Sequence, residues 1–250
     1  MIKEKMISKE IILENDLEYD ELVLYLLEKY GPSKYDYFEN TEFRLKNKKV
    51  RRTKEGLLCH HIDEDKAINL CNPTYARDYP FEYQKSDRLV YCNYLEHLLL
   101  HIKIGIIQFW QKHKTIDDPA TIRSFVVPGI KYLCRDINTL YKNDGLDFKW
   151  RRNCYISIRE LFNDYIYILN QFIIYLRNSY KKKSCIIGDR FEFSFGEGTI
   201  VDYNEDSVII QLIGDLSIEV KIGEEELNRN LEYIKRELSV EYHKVYECLV

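Results

Sequence analysis

The stretch YLEHLLLHIKIGIIQFWQKH, residues 94–113, limits the fold more than any other part of this chain. Its composition is helical and it is apolar around most of its circumference. A helix of that kind needs neighbours on nearly every side, so it must be the buried centre of a core, with Gly105 the one place where it would loosen. With 250 residues, 45% of them hydrophobic, the chain has the material to build that core. No apolar run reaches the ~20 residues that span a bilayer, and the charged segment MIKEKMISKE is not followed by the apolar region of a secretory signal. Seven cysteines, an odd number with no CxxC pair, make neither a disulfide framework nor a paired-knuckle zinc site. The expectation is a folded protein of a reducing compartment, the cytosol.

The same helix carries His97 and His101. Residues four apart lie one turn apart on one face, the spacing at which two imidazoles can share a metal ion. Upstream, LLCHHIDED (57–65) adds His60 and His61, so four of the six histidines occur as HH and HxxxH in one region. A single histidine of this kind reads as a satisfied core residue. Four together would each need a partner to avoid a desolvation penalty, and a shared metal meets that need most simply. LLCHHI reads as a short strand, followed by a polar, Tyr-rich loop interrupted by Pro73 and Pro80, a second strand at Leu89–Cys92, and then the helix. Adjacent residues on a flat strand face opposite ways, so His60 and His61 serve one site only if the strand ends, bulges or bends there. An irregularity at that point is expected.

CHHID, followed after an insert by LVYCNYLEHLLLH, resembles the HNH nucleases, over roughly residues 50–105. Their ββα-metal core has a first strand ending in HH or DH, a second strand with an asparagine, and a helix bearing HxxxH. The resemblance implies that His61 is the general base that activates water and that His60, His97 and His101 hold one divalent metal ion. The chemistry suits the residue types. Phosphodiester hydrolysis needs a nucleophile made from water and a cation to stabilise charge at the phosphate, and an imidazole is a competent base at neutral pH. Three imidazoles favour zinc, nickel or manganese, while Asp63, Glu64 or substrate oxygens leave magnesium open. The family's asparagine is expected nine residues before the first helix histidine, where this chain has Arg88, with Asp87 beside it and Asn93 further on. Arg88 is the second catalytic candidate, bracing a backbone carbonyl or clamping the phosphate through its guanidinium fork.

Charge is distributed unevenly. The net charge is -4, yet residues 44–54, RLKNKKVRRTK, hold Arg44, Lys46, Lys48, Lys49, Arg51, Arg52 and Lys54 and no acid. In isolation such a run reads as a solvated loop; beside the double histidine it reads as a source of phosphate contacts. The insert NPTYARDYPFEYQKSDR offers Arg77, Lys85, Tyr75, Tyr79, Phe81 and Tyr83, either for stacking on bases or for packing over the helix, the blander reading. Cys59, Cys71 and Cys92 are a weak alternative zinc set with no knuckle spacing.

From 117 to 180 the chain reads as two or more helices. Asp118-Pro119 is a capping signal, Pro128-Gly129 an interruption before Ile130–Tyr141, and Tyr155–Tyr180 a long buried segment preceded by Trp150-Arg151-Arg152. These form a scaffold or a homodimer surface. Lys181-Lys182-Lys183 reads as a linker. Beyond it, apolar and polar residues alternate, with turns at Gly188-Asp189, Gly196-Glu197-Gly198, Asn204-Glu205-Asp206 and Gly214-Asp215, as in a small closed barrel. FGEGTIVDY resembles the tudor-like barrels at the C-termini of some DNA helicases, which implies protein or nucleic-acid contact; the acidity of the region favours a protein partner. An amphipathic helix or two follows, with a structural His243.

The fold class expected is therefore α+β. A ββα-metal core lies within a mainly helical domain (1–116, then a helical scaffold at 117–183), followed by a small antiparallel barrel with a C-terminal helix (184–250). The function expected is a cytoplasmic, metal-dependent HNH endonuclease acting on nucleic acid, DNA before RNA, with no membrane partner. The alternative is an inactive, zinc-stabilised HNH-like module that binds nucleic acid or protein.

Overall fold

The computed structural model describes residues 7–67, 69–112, 127–142 and 147–183, together with four strands between 190 and 221. Helices and strands are mixed. In chain order they are α1 (Lys9–Asp16), α2 (Tyr19–Tyr30), β1 (Leu58–His61), the short α3 (Pro73–Ala76), β2 (Leu89–Cys92), α4 (Tyr94–Lys112), α5 (Val127–Tyr141), α6 (Lys149–Ile158), α7 (Phe162–Lys183), β3 (Arg190–Phe193), β4 (Gly196–Tyr203), β5 (Ser207–Leu212) and β6 (Ser217–Lys221). Among the described residues no helix is long and apolar enough to cross a membrane.

Helix α4 is the central element its composition demands. Leu95, Leu98 and Leu99 share one face, Leu100 turns away from it, and all are buried. They share one core with Leu22 and Leu26 of α2, Ile137 and Leu140 of α5, Cys154 and Ile158 of α6, and Ile168 and Phe172 of α7. At about 1.5–3 kcal/mol for each fully buried aliphatic side chain, this contact set fixes where α4, and so its two histidines, must lie. The helix runs unbroken through Gly105. Its start is set by Asn93, whose Oδ1 accepts the N–H groups of Leu95 (2.8 Å) and Glu96 (3.1 Å), while Glu96 Oε2 accepts the N–H of Asn93 (2.5 Å). This reciprocal cap defines the role of Asn93.

Strands β1 and β2 pair antiparallel, with His60 opposite Val90 and His61 opposite Leu89. The strand ends at His61 and continues at once as a 3-10 turn, Ile62–Asp65. That is the irregularity the double histidine requires. Before β1, Gly56 takes a φ of 79°, and a Cβ there would lie 2.7 Å from the Asn153 carbonyl oxygen. Only glycine lets this backbone lie against α6. Asn153 donates to Thr53 O (3.2 Å) and Ser157 to Gly56 O (3.3 Å), which moors the start of β1.

Several expectations need correction. The sequence YDELVLYLLEKY (19–30), stopped by Gly31-Pro32, reads as one short N-terminal helix, and the structure has it as α2 but adds α1 before it. Ser8 caps α1 by accepting the Ile11 N–H (3.2 Å) and donates its own N–H to Asp164 of α7 (2.9 Å). Pro128-Gly129 lies in the first turn of α5, where proline's missing N–H is harmless, so the run placed at Ile130–Tyr141 begins at Val127; the residues before it lie outside the described ones. The Tyr155–Tyr180 segment is parts of two helices, α6 and α7, separated at 159–161, and Lys181–Lys183 continue α7. Phe81 does not pack over α4; it joins Phe38, Phe43 and Ala76 in a separate small cluster beneath the insert. Gly196-Glu197-Gly198 opens β4, where Gly196 pairs with Phe193, and is not a turn.

The four later strands form an antiparallel meander in the order β3-β4-β5-β6, with a bulge between Ile200 and Asp202. No pairing that would close them into a barrel occurs among the described residues. The turns expected at 188–189, 204–206 and 214–215, the capping signal at 118–119, His113, and the C-terminal helix with His243 lie outside the described residues.

Candidate metal centre

Three of the four histidines meet. One side-chain nitrogen from each of His60, His97 and His101 lies within 4.8 Å of the other two. His97 Nε2 and His101 Nε2 are 3.1 Å apart, and the His60 ring stands edge-on to both. His60 comes from the end of β1 and the other two from one face of α4, so the site is the seam between the hairpin and the central helix.

The hydrogen bonds around His60 decide which of its nitrogens is free. The Tyr19 hydroxyl donates to Ile62 O (2.7 Å), so its oxygen can only accept from His60 Nε2, 3.1 Å away. The ring is thereby held as the Nε2–H tautomer, and its bare Nδ1 lone pair faces the cluster. His60 Nδ1 and His97 Nδ1 are both buried without a hydrogen-bond partner. A buried imidazole lone pair with no donor, as at His60 Nδ1, is chemically suited to a metal ion.

His61 is not part of this triad. Pointing to the other side of β1, it lies against the Tyr37 ring, centroids 4.4 Å apart, and its Nε2 is 2.9 Å from Gln84 Oε1. Gln84 donates its amide N–H to Leu70 O (3.3 Å), so its oxygen accepts from His61 Nε2–H and leaves His61 Nδ1 bare as well. The two adjacent histidines are thus locked in the same tautomer by two different side chains.

Their bare nitrogens face one group, the Glu64 carboxylate. Oε2 is 3.6 Å from His60 Nδ1 and 3.5 Å from His101 Nε2, and Oε1 is 3.8 Å from His61 Nδ1. Glu64 is carried by the 3-10 turn after β1, and that turn is held from outside by Arg88. The Arg88 fork donates to both oxygens of Asp63 (2.7 and 2.5 Å), and Lys66 donates to Asp63 Oδ1 (3.0 Å). Among the described contacts Arg88 fixes the turn that presents Glu64, and the group that holds His61 Nε2 is Gln84.

Burial governs the charges. It pushes His60 and His97 well below the ordinary imidazole value, with neighbouring imidazoles adding to the effect, and brings His61 and His101 down to about 4. All four are neutral near pH 7, the form that binds metal or accepts a proton. Burial pushes Glu64 up to about 8. Burial also works against the charge of Asp63, but Arg88 and Lys66 outweigh it and hold the group below its ordinary value.

The basic stretch only partly reaches the site. Lys46 is exposed, lies over the outer face of Tyr37 (5.6 Å to the ring centre), and disfavours the charged form of His61. Arg51 is exposed and acts electrostatically on Tyr37. Arg52 is structural: it binds Glu55 and Tyr30 O and covers the Tyr91 ring. Arg44 pairs with Glu42 (2.9 Å) and Lys49 lies over Tyr35. Lys48 and Lys54 are exposed. In the insert, Tyr79 and Tyr83 stack on each other, Tyr75 is exposed, and Lys85 pairs with Asp36 (3.0 Å). Cys59, Cys71 and Cys92 carry free thiols and lie outside the metal-competent group.

Sequence reasoning missed Tyr19 and Gln84 as site residues and left Glu64 as one of several oxygens. Glu64 had a local signal, the i+4 and i+3 spacings from His60 and His61, which acquire meaning once the chain turns helical after the strand. Tyr19 and Gln84 come from 41 and 23 residues away and had none. No protein-family model, no curated protein and no solved structure matches the chain.

Proposed function

We propose that this chain is a metal-dependent phosphodiesterase of the HNH type, an endonuclease with DNA, ahead of RNA, as its proposed substrate. The observation that carries the reading is the pair of locked tautomers at the end of β1: His60 offers a lone pair to a three-histidine cluster, and the next residue offers its own on the other side of one carboxylate. His60, His97 and His101 would hold the ion. A bound divalent ion would supply a Lewis acid for the scissile phosphate and for the leaving oxygen.

The chain's own residues do the rest. His61 Nδ1 takes the proton of the attacking water, and Gln84 keeps the opposite nitrogen protonated so that Nδ1 stays available. Tyr19 does the same for His60. Lys46 and Arg51, exposed beside Tyr37, attract and orient the phosphate backbone, with Lys48 and Lys54 extending the field. The four-stranded meander belongs in this reading to a small barrel that docks a protein partner.

The alternative, an inactive metal-stabilised binding module, draws on the Glu64 carboxylate covering the histidine that would act as base. Nicking of supercoiled plasmid after chelation and re-addition of magnesium, manganese, nickel or zinc separates the two. The nuclease is expected to nick with at least one ion, and His61→Ala to abolish nicking while keeping fold and metal. Metal-loaded, folded protein that cuts no DNA under any of these ions sinks the nuclease reading.

A further inference from the structure

We infer that Glu64 is a fourth ligand of the ion, through Oε2, so that the centre has a three-histidine, one-carboxylate donor set. The inference rests on the metal centre proposed above and adds to it a residue from outside the histidine motif. For metal–nitrogen bonds of about 2.0–2.1 Å, the corners of a tetrahedral site lie about 3.3–3.4 Å apart. Three of the six separations lie near that value: 3.1 Å from His97 to His101, 3.5 Å from His101 to Glu64, and 3.6 Å from Glu64 to His60. The three histidine nitrogens lie within 4.8 Å of one another, so an ion would draw His60 and Glu64 inward.

The tautomers make the case stronger than distance alone. Tyr19 fixes His60 with its hydrogen on Nε2, so the Nδ1 that faces Glu64 is an acceptor with no hydrogen-bond partner. A nitrogen lone pair and a carboxyl oxygen set face to face inside a protein are bridged either by the carboxyl's own proton or by a cation, and a cation displaces that proton as it binds. A cation shared by His60, His101 and Glu64 answers this, and it answers it for three atoms at once.

The turn is built to hold that carboxylate still. Tyr19 grips Ile62 O at its first residue, and Arg88 and Lys66 grip Asp63 at its second. Both contacts flank Glu64, and neither is required by β1–β2 pairing. They serve as supports that orient a ligand, the arrangement seen around metal sites generally. Arg88 is then a positioning residue acting through Asp63 on Glu64.

Such a set is closed when the ion takes four ligands, and closed sites are structural. An ion that accepts a fifth or sixth ligand leaves room for water or phosphate oxygen beside Glu64, which points to manganese or nickel, or to zinc in a five-coordinate form.

The test uses the full-length chain, stripped by chelation and titrated with cobalt(II) and, separately, zinc, with the cobalt d–d absorption recorded. Wild type, Glu64→Gln, Glu64→Asp, His97→Ala and the surface control Glu42→Gln are compared, each checked for fold by circular dichroism. Loss of a ligand exceeds the 10–100-fold typical of lost outer supports, so Glu64→Gln is expected to weaken zinc binding by about 100-fold or more and to shift the cobalt bands in position and intensity. Glu64→Asp, too short by one methylene, is expected to fall between, and Glu42→Gln to match wild type. If wild type and Glu64→Gln share affinity and spectrum while His97→Ala loses the ion, Glu64 is no ligand and the three-histidine centre survives without it. If wild type binds neither ion, the centre itself fails and this inference with it.

Discussion

Removing the ammonium of Lys29 by Lys29→Met tests how the site helix is held. Lys29 Nζ lies 2.6 Å from Glu10, 3.0 Å from Glu14 and 2.5 Å from Glu96. Glu10 is half exposed, so its share is the 0–1 kcal/mol of a surface pair. Glu14 and Glu96 are almost wholly buried, at 2% and 1% side-chain exposure, and lose their cation together. Breaking a buried pair from one side costs about 3–5 kcal/mol. Glu14 already stands at about 7 because of burial, with Glu96 adding to the rise. A carboxyl raised in the folded state contributes stability that is full below its unfolded value of about 4.5 and is lost as pH rises through its folded value. Without Lys29 that folded value climbs further, so the penalty should be larger at pH 8 than at pH 6. Urea unfolding followed by circular dichroism at both pH values measures it. Adding Glu14→Gln to Lys29→Met should recover part of the loss, since one buried carboxylate then no longer needs a cation. A loss below about 1 kcal/mol at pH 8, or no recovery in the double variant, would refute the reasoning.

Gly129→Ala should leave stability unchanged or slightly raised through helix propensity, yet weaken metal binding, because the new Cβ would lie 3.1 Å from His101 Nδ1; zinc titration beside thermal melting separates the two effects. Gly56→Ala should lose about 2–4 kcal/mol, from a positive φ and from backbone 2.7 Å away, read by urea unfolding. Tyr19→Phe frees His60 to take either tautomer and should weaken zinc binding about 10–100-fold without unfolding the chain. Metal-free protein should lose stability as pH falls from about 6.5 to about 4: His61 and His101 have folded values near 4, so the unfolded chain binds the extra protons, at up to ~1.4 kcal/mol per pH unit for each. Glu64, raised to about 8, opposes this above its unfolded value, and bound zinc should protect against the acid loss. A pH-independent melting temperature over that range would contradict the assignment of neutral buried histidines.

How much of this was legible in the sequence depends on reach. The central helix, the two strands around the insert and the HxxxH face all follow from patterns within a few residues, and the structure has all three. The end of β1 at His61 followed from one geometric requirement, that neighbours on a strand diverge. What escaped was set at long range. The contact of Arg88 could not be read because Asp63 is 25 residues distant, and the partner of His61 could not be read because Gln84 meets it only after the insert folds back. The helix boundaries in 127–183 went astray for a different reason. The break at 159–161 between α6 and α7 has neither proline nor glycine to mark it in the sequence.

The placement of Glu64 bears on how a site of four neutral imidazoles could handle a polyanion. Three imidazole ligands leave a divalent ion with its full charge, a strong trap for phosphate. One carboxylate in the set reduces the centre to a single positive charge, matched to the single negative charge of a phosphodiester. The same carboxylate's other oxygen lies 3.8 Å from His61 Nδ1, so in the proposed nuclease its position would govern both the charge of the centre and access to His61. Lys46 and Arg51, exposed and acting on Tyr37 and His61, would then supply positive potential outside the proposed centre. The division is physically sensible. Charge that attracts a long polymer is best spread and exposed, where salt and diffusion tune it, while charge at the scissile bond is best moderated and buried, where the low dielectric magnifies any excess.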